Sequence, residues 1–208
     1  GHYLQRGHIE PIVYVNNWLL STNLYPSLTA EQINLLHSTL LDQYPKMPIA
    51  FRSIDETGNE PLFRHLLALG YTPVFSRFVW YQDPSSPRVQ RKKSHRSDGR
   101  LFHDSGYTIQ SHTSFNDADF ERVEALYTQL YISKYSDLNP QFTAAFLKAQ
   151  CHGSYLQLRA LVKNGQIDAV FGYYTRNGLG TCPIFGYDTS LPQSAGLYRS
   201  LSWVWAQE

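Results

Sequence analysis

Two Asn-Gly pairs, Asn164-Gly165 and Asn177-Gly178, divide residues 155–187 into three runs of alternating apolar and polar side chains. No other feature of the chain limits its fold as strongly. Asn-Gly fills the two central positions of a type I′ turn, where both residues take positive φ. That turn matches the right-handed twist between adjacent antiparallel strands. Residues 155–162, 166–175 and 179–187 therefore read as a three-stranded antiparallel meander. After it, FGYDTSLPQSAGLYRSLSWVWAQE reads as a strand end, a turn, a glycine-containing loop and a helix starting near Gly196.

The preceding hundred and fifty residues alternate between the two periodicities. Residues 9–20 are apolar and β-branched enough for a strand. Thr29 and Gln32 form a capping box, with Leu28 and Ile33 placed for the hydrophobic staple, so a helix starts there and Pro45 ends it. Residues 47–54 read as a short buried strand. Asn59 and Pro61 open a second helix that Gly70 closes. Residues 71–81 (YTPVFSRFVWY) read as another strand. Residues 106–112 read as a strand, 116–135 as a long amphipathic helix, and Asn139-Pro140 as the start of a helix running to about Gln150.

Between these blocks the composition shifts. DPSSPRVQRKKSHRSDGR, residues 83–100, is rich in proline, serine and cations, which reads as a linker or long exposed loop. The expected partition is thus 1–82, a basic polar linker at 83–104, and 105–208. The formal net charge of the whole chain is only +1, so no global field argues for a polyanionic partner. The linker is a local exception, either a solvated loop or a contact for RNA or phosphate through Arg88, Arg91, Lys92, Lys93 and Arg96.

Cys151 and Cys182 are the only cysteines, too few for a disulfide framework and without metal-site spacing. Free thiols and a cytoplasmic location are expected, with no metal. No apolar run approaches the roughly 20 residues of a membrane helix. No nucleophile elbow, Walker loop or dinucleotide fingerprint is present.

The element order and one loop carry a family resemblance. Gln193-x-x-Gly196-x-Tyr198 is similar to the Q/R-x-x-G-x-G/A pyrophosphate loop of GNAT-type acyltransferases, with Tyr198 standing where that pattern has a small residue. The order strand, helix, helix, three strands, helix in the second block resembles the first part of a GNAT domain, and the first block resembles the later part. Two partial units, one circularly permuted unit, or a truncated chain would give this order. Tandem units also resemble the FemABX-type transferases.

The resemblance implies an α/β fold of the α+β kind, with a largely antiparallel sheet flanked by helices. It implies transfer of an acyl group from acyl-CoA to a small-molecule or peptide amine. Gln193, Ala195, Gly196, Leu197 and Arg199 would hold the CoA pyrophosphate, with Asp188 and Tyr187 as catalytic candidates. The FemABX-like alternative takes its donor from charged tRNA. A third reading is a non-catalytic binding module.

Overall fold

The computed structural model describes residues 11–16 and 22–208. It is an α+β protein with a two-stranded parallel sheet and a four-stranded antiparallel sheet. The chain divides into two compact units, residues 1–78 with 175–181, and residues 79–174 with 182–208.

In the first unit, β1 (Val13–Val15) pairs in parallel with β2 (Ile49–Phe51), and α1 (Ala30–Gln43) connects them. The capping box forms as its sequence requires: Gln32 N–H donates to Thr29 Oγ1 and Thr29 N–H to Gln32 Oε1. Helix α2 (Glu60–Ala68) follows. Tyr25, Ile33, Leu62 and Leu66 are the buried core, with Phe51, Ile54 and Tyr71 packed on it. Tyr25 donates its hydroxyl to the Arg52 carbonyl at 2.8 Å, which satisfies a polar group that burial would otherwise penalise. Residues 9, 10 and 17–20 of the expected first strand lie outside the described residues.

Two expectations fail where the units meet in sequence. Residues 71–81 form no strand; Val74, Phe75, Phe78 and Trp80 are 73–89% exposed. β propensity there is high, but a strand needs a ladder partner, and no strand of the described residues pairs with this segment. The expected linker is instead helical, as α3 (Pro87–Gln90) and α4 (Lys93–Asp104). Only Val89, Gly99 and Phe102 of these helices are buried. So few apolar positions gave no periodic signal, and packing of that narrow stripe holds the helix.

The second unit is built on β3 (Thr108–Ser111), β4 (Gln157–Lys163), β5 (Gln166–Arg176) and β6 (Leu179–Tyr187), in that spatial order. Both Asn-Gly turns take the expected backbone, with φ of 53° and 77° at Asn164-Gly165 and 53° and 75° at Asn177-Gly178. The second turn belongs to the first unit, where Arg176 donates to the Leu24 carbonyl at 2.8 Å.

Helix α5 (Asp117–Tyr127) continues into a π-helical turn, Thr128–Ser133. Helix α6 spans Ala144–His152, four residues after the expected start. Thr143 caps it and Glu124 accepts the Ala144 N–H at 2.6 Å, while Tyr127 and Asn139 hydrogen-bond the preceding segment in place. Helix α7 (Leu197–Trp205) closes the described chain. One face of the sheet, with Leu161, Ala169, Phe171 and Tyr173, packs against Phe102 of α4 and Leu197, Leu201 and Val204 of α7. Residues Ile167 to Tyr173 of β5 are all buried, so that strand is covered on both faces. Among the described residues no helix is long and apolar enough to cross a membrane.

Candidate functional site

The loop before α7 does form where the sequence places it. Gln193–Ala195 make one 3₁₀ turn, and Gly196 takes the left-handed conformation, φ 65°, as the residue preceding the helix. Only glycine enters that region without strain. Of the backbone N–H groups of Ala195, Gly196 and Leu197, which would face a pyrophosphate, two are already used. Ala195 N–H donates to Pro192 O at 2.9 Å and Gly196 N–H to Gln193 O at 3.0 Å. Space at Gly196 is also taken: a Cβ there would stand 2.5 Å from Leu101 Cδ2 of α4. Leu197 is buried, and Tyr198 is 59% exposed with its ring against Phe185 and Tyr187.

Arg199, expected at the pyrophosphate, is engaged within the fold. It donates to Asp98 Oδ1 at 2.7 Å through Nε and to Ser97 Oγ at 2.9 Å, both on α4. A guanidinium held in that fork is a tie between helices.

Asp188 stands at the end of β6 beside Tyr187, as expected, and starts the turn by accepting the Ser190 N–H at 2.9 Å. Its other oxygen accepts from Arg122 of α5 at 2.7 Å. The Ser190 hydroxyl and the Arg122 guanidinium together hold its carboxyl at about 2, well below the ordinary carboxylate value. So strongly stabilised an anion has little tendency to accept a proton from an ammonium at neutral pH.

Arg122 also donates to the Ile167 carbonyl at 2.9 Å. Asp168, buried within β5, accepts from the Tyr107 hydroxyl at 2.7 Å and lies 4.0 Å from Arg122. Burial, reinforced by that bond, pushes the Tyr107 phenol well above its usual value. The sequence reading missed this cluster. Its one sequence signal was Asp168, a lone charge inside the apolar run QIDAVFGYY.

Cys151 and Cys182 are free thiols, and burial pushes both up to about 12, so neither offers a thiolate at neutral pH. His112 accepts the Leu158 N–H on Nδ1 at 3.2 Å, and burial lowers its pKa; that fixes it as a neutral partner of β4. Among the described residues no group of three His, Cys, Asp or Glu could hold a metal ion.

The basic segment becomes a different object once folded. Lys93, Arg96, Arg100 and His103 recur at three- and four-residue spacing, which puts them on one stripe of α4. They line an open cavity of about 640 Å³ together with His95 and with Trp203 of α7. Lys93, Arg96 and Arg100 are exposed, and among the described residues none of the three has a carboxylate partner. Asp98, the nearest acid along the helix, is engaged by Arg199. Of the five cations singled out from sequence, Lys93 and Arg96 reach this cavity. Arg88, Arg91 and Lys92 are exposed beside it in sequence but do not line it. The arrangement suits a ligand with several phosphates, because cations without counter-ions gain most from one.

No family model matches the chain, and no curated protein does. Among solved structures it is similar to "The structure of L-PGS from Bacillus licheniformis", with a TM-score of 0.43 and 15% identity, over 59% of this chain and 38% of that one.

Proposed function

We propose that this chain binds RNA through the α4 face, and that it is a transferase of the FemABX-like kind, taking an aminoacyl donor from charged tRNA and passing it to an amine. The observation that carries this reading is the stripe Lys93, Arg96 and Arg100, three exposed cations without carboxylate partners around one cavity. The acyl-CoA reading has less support. Its loop N–H groups at Ala195 and Gly196 are bonded internally, Leu101 covers Gly196, and Arg199 is tied to Asp98. A cytoplasmic location belongs to the same proposal, since charged tRNA is used there.

The test is a titration of the 208-residue chain with tRNA over a series of salt concentrations, beside calorimetry with acetyl-CoA. Binding should weaken steeply with salt. The variant K93A/R96A/R100A should bind less tightly, with a log–log salt slope shallower by roughly 2–3, about one per lost phosphate contact. Transfer is read as loss of labelled amino acid from the tRNA onto an added amine. Heat with acetyl-CoA, and no affinity for tRNA at low salt, would reverse the choice between the two donors.

A further inference from the structure

The cavity on α4 holds more than charge, and its aromatic wall points to the kind of RNA it takes. Gly99 is buried in the middle of the basic helix, where glycine is a poorer helix former than alanine. What it permits is contact: a Cβ at Gly99 would stand 2.8 Å from Trp203 Nε1. The indole therefore lies directly on the helix backbone. Phe102 stacks with it at a centroid distance of 5.3 Å and 26° between planes, and His103 meets it edge-on at 5.2 Å. Trp203 is half-buried and lines the cavity beside Lys93, Arg96 and Arg100. A glycine inside the helix and a stacked phenylalanine fix the ring's position before any ligand arrives.

We infer that this cavity receives an unpaired nucleotide, with its base stacked at Trp203 and its flanking phosphates on Lys93, Arg96 and Arg100. The inference rests on the RNA-binding reading and narrows it to a single-stranded segment. A duplex keeps its bases inside and offers only phosphates to such a surface. An unpaired base offers a π face as well, and aromatic rings next to cations are the usual means of holding single strands. The site has cations for the backbone and a preset ring for the base, around about 640 Å³ of open space.

The experiment compares two polyanions, a short single-stranded RNA oligomer and heparin, which has charge but no bases. The full chain, W203A, W203F and K93A/R96A/R100A are measured by fluorescence anisotropy. W203A should lose about tenfold in RNA affinity, the scale of one base–aromatic stack, and stay within twofold for heparin. W203F, which keeps a ring, should fall between W203A and the parent. The triple variant should lose both ligands. Equal losses for RNA and heparin in W203A, or no loss of either, would overturn the stacking.

A second measurement needs no variant. Adenosine monophosphate should displace RNA from the parent chain at concentrations where inorganic phosphate does not. Equal displacement by the two would also overturn it. If the parent binds neither RNA nor heparin, the RNA-binding reading falls too. RNA bound without preference for bases would remove only the nucleotide pocket.

Discussion

Two charged regions of the second unit treat arginine in opposite ways. Where β5 starts and β6 ends, Arg122 is answered by the Asp188 carboxylate at 2.7 Å, the Ile167 carbonyl at 2.9 Å and, farther off, buried Asp168. On α4, Arg96 and Arg100 stand in solvent beside Lys93, with no carboxylate partner among the described residues. The Arg199–Asp98 pair lies between the extremes, with its arginine side chain 50% exposed. The series separates charges used to hold the fold from charges left for a ligand. A half-buried ion with fixed partners has already lost much of its water and would be costly to redirect. An exposed cation loses little by exchanging water for phosphate.

The comparison predicts a ranked set of stability effects. Arg122→Ala should be the largest. It takes the Arg122 donor from Asp188 Oδ2 and from the Ile167 carbonyl, leaving Asp188 only its Ser190 contacts, at a cost on the order of 3 kcal/mol by chemical denaturation. A loss below about 0.5 kcal/mol, the level of an ordinary surface substitution, would place Arg122 with the ligand-facing charges instead.

The acid limb gives a second measure. Asp188 has its folded pKa lowered to about 2, against about 3.9 for an unfolded aspartate. Its stabilisation is therefore complete above the unfolded value and is lost as pH falls from about 4 to about 2. Asp188→Asn should be less stable at neutral pH and should show a flatter stability curve across that window. Parallel acid curves for the parent and Asp188→Asn would remove the Arg122–Asp188 pair from the stabilising set.

Changes on α4 and at its tie to α7 should come last. Arg199→Ala is expected to cost about 0.5–1 kcal/mol, as for a half-exposed ion pair, and to leave RNA affinity within twofold. K93A/R96A/R100A should melt within about 0.5 kcal/mol of the parent while losing RNA affinity. If that variant were as damaged as Arg122→Ala, the α4 stripe would be part of the scaffold and the contrast would disappear.

How far the sequence could be read depended on whether a signal was local. The capping box at Thr29 and Gln32, the turn after Tyr187 and the glycine-containing loop at Gly196 are features set within a few residues. Each formed as written. The same local logic placed the basic run correctly as a source of charge but misread its shape. Residues 93–104 carry too few apolar side chains to announce a helix, and α4 depends on Phe102 and Gly99 meeting α7 across a hundred residues of chain. In the opposite sense, residues 71–81 have strand composition but no strand beside them.

The sequence alone determined the meander of β4, β5 and β6, because an Asn-Gly turn and a period of two act over fewer than a dozen residues and need no distant partner. It also determined the start of α7, since the chain must turn through positive φ there and glycine does so without strain. Only the tertiary structure decided which charges were spent. Arg122 finds Asp188 across 66 residues, and Arg199 finds Asp98 across 101. Lys93, Arg96 and Arg100, in the same unit, find no carboxylate among the described residues. Pairing of ions depends on distance in space and on burial, and neither is written in the local pattern of a chain.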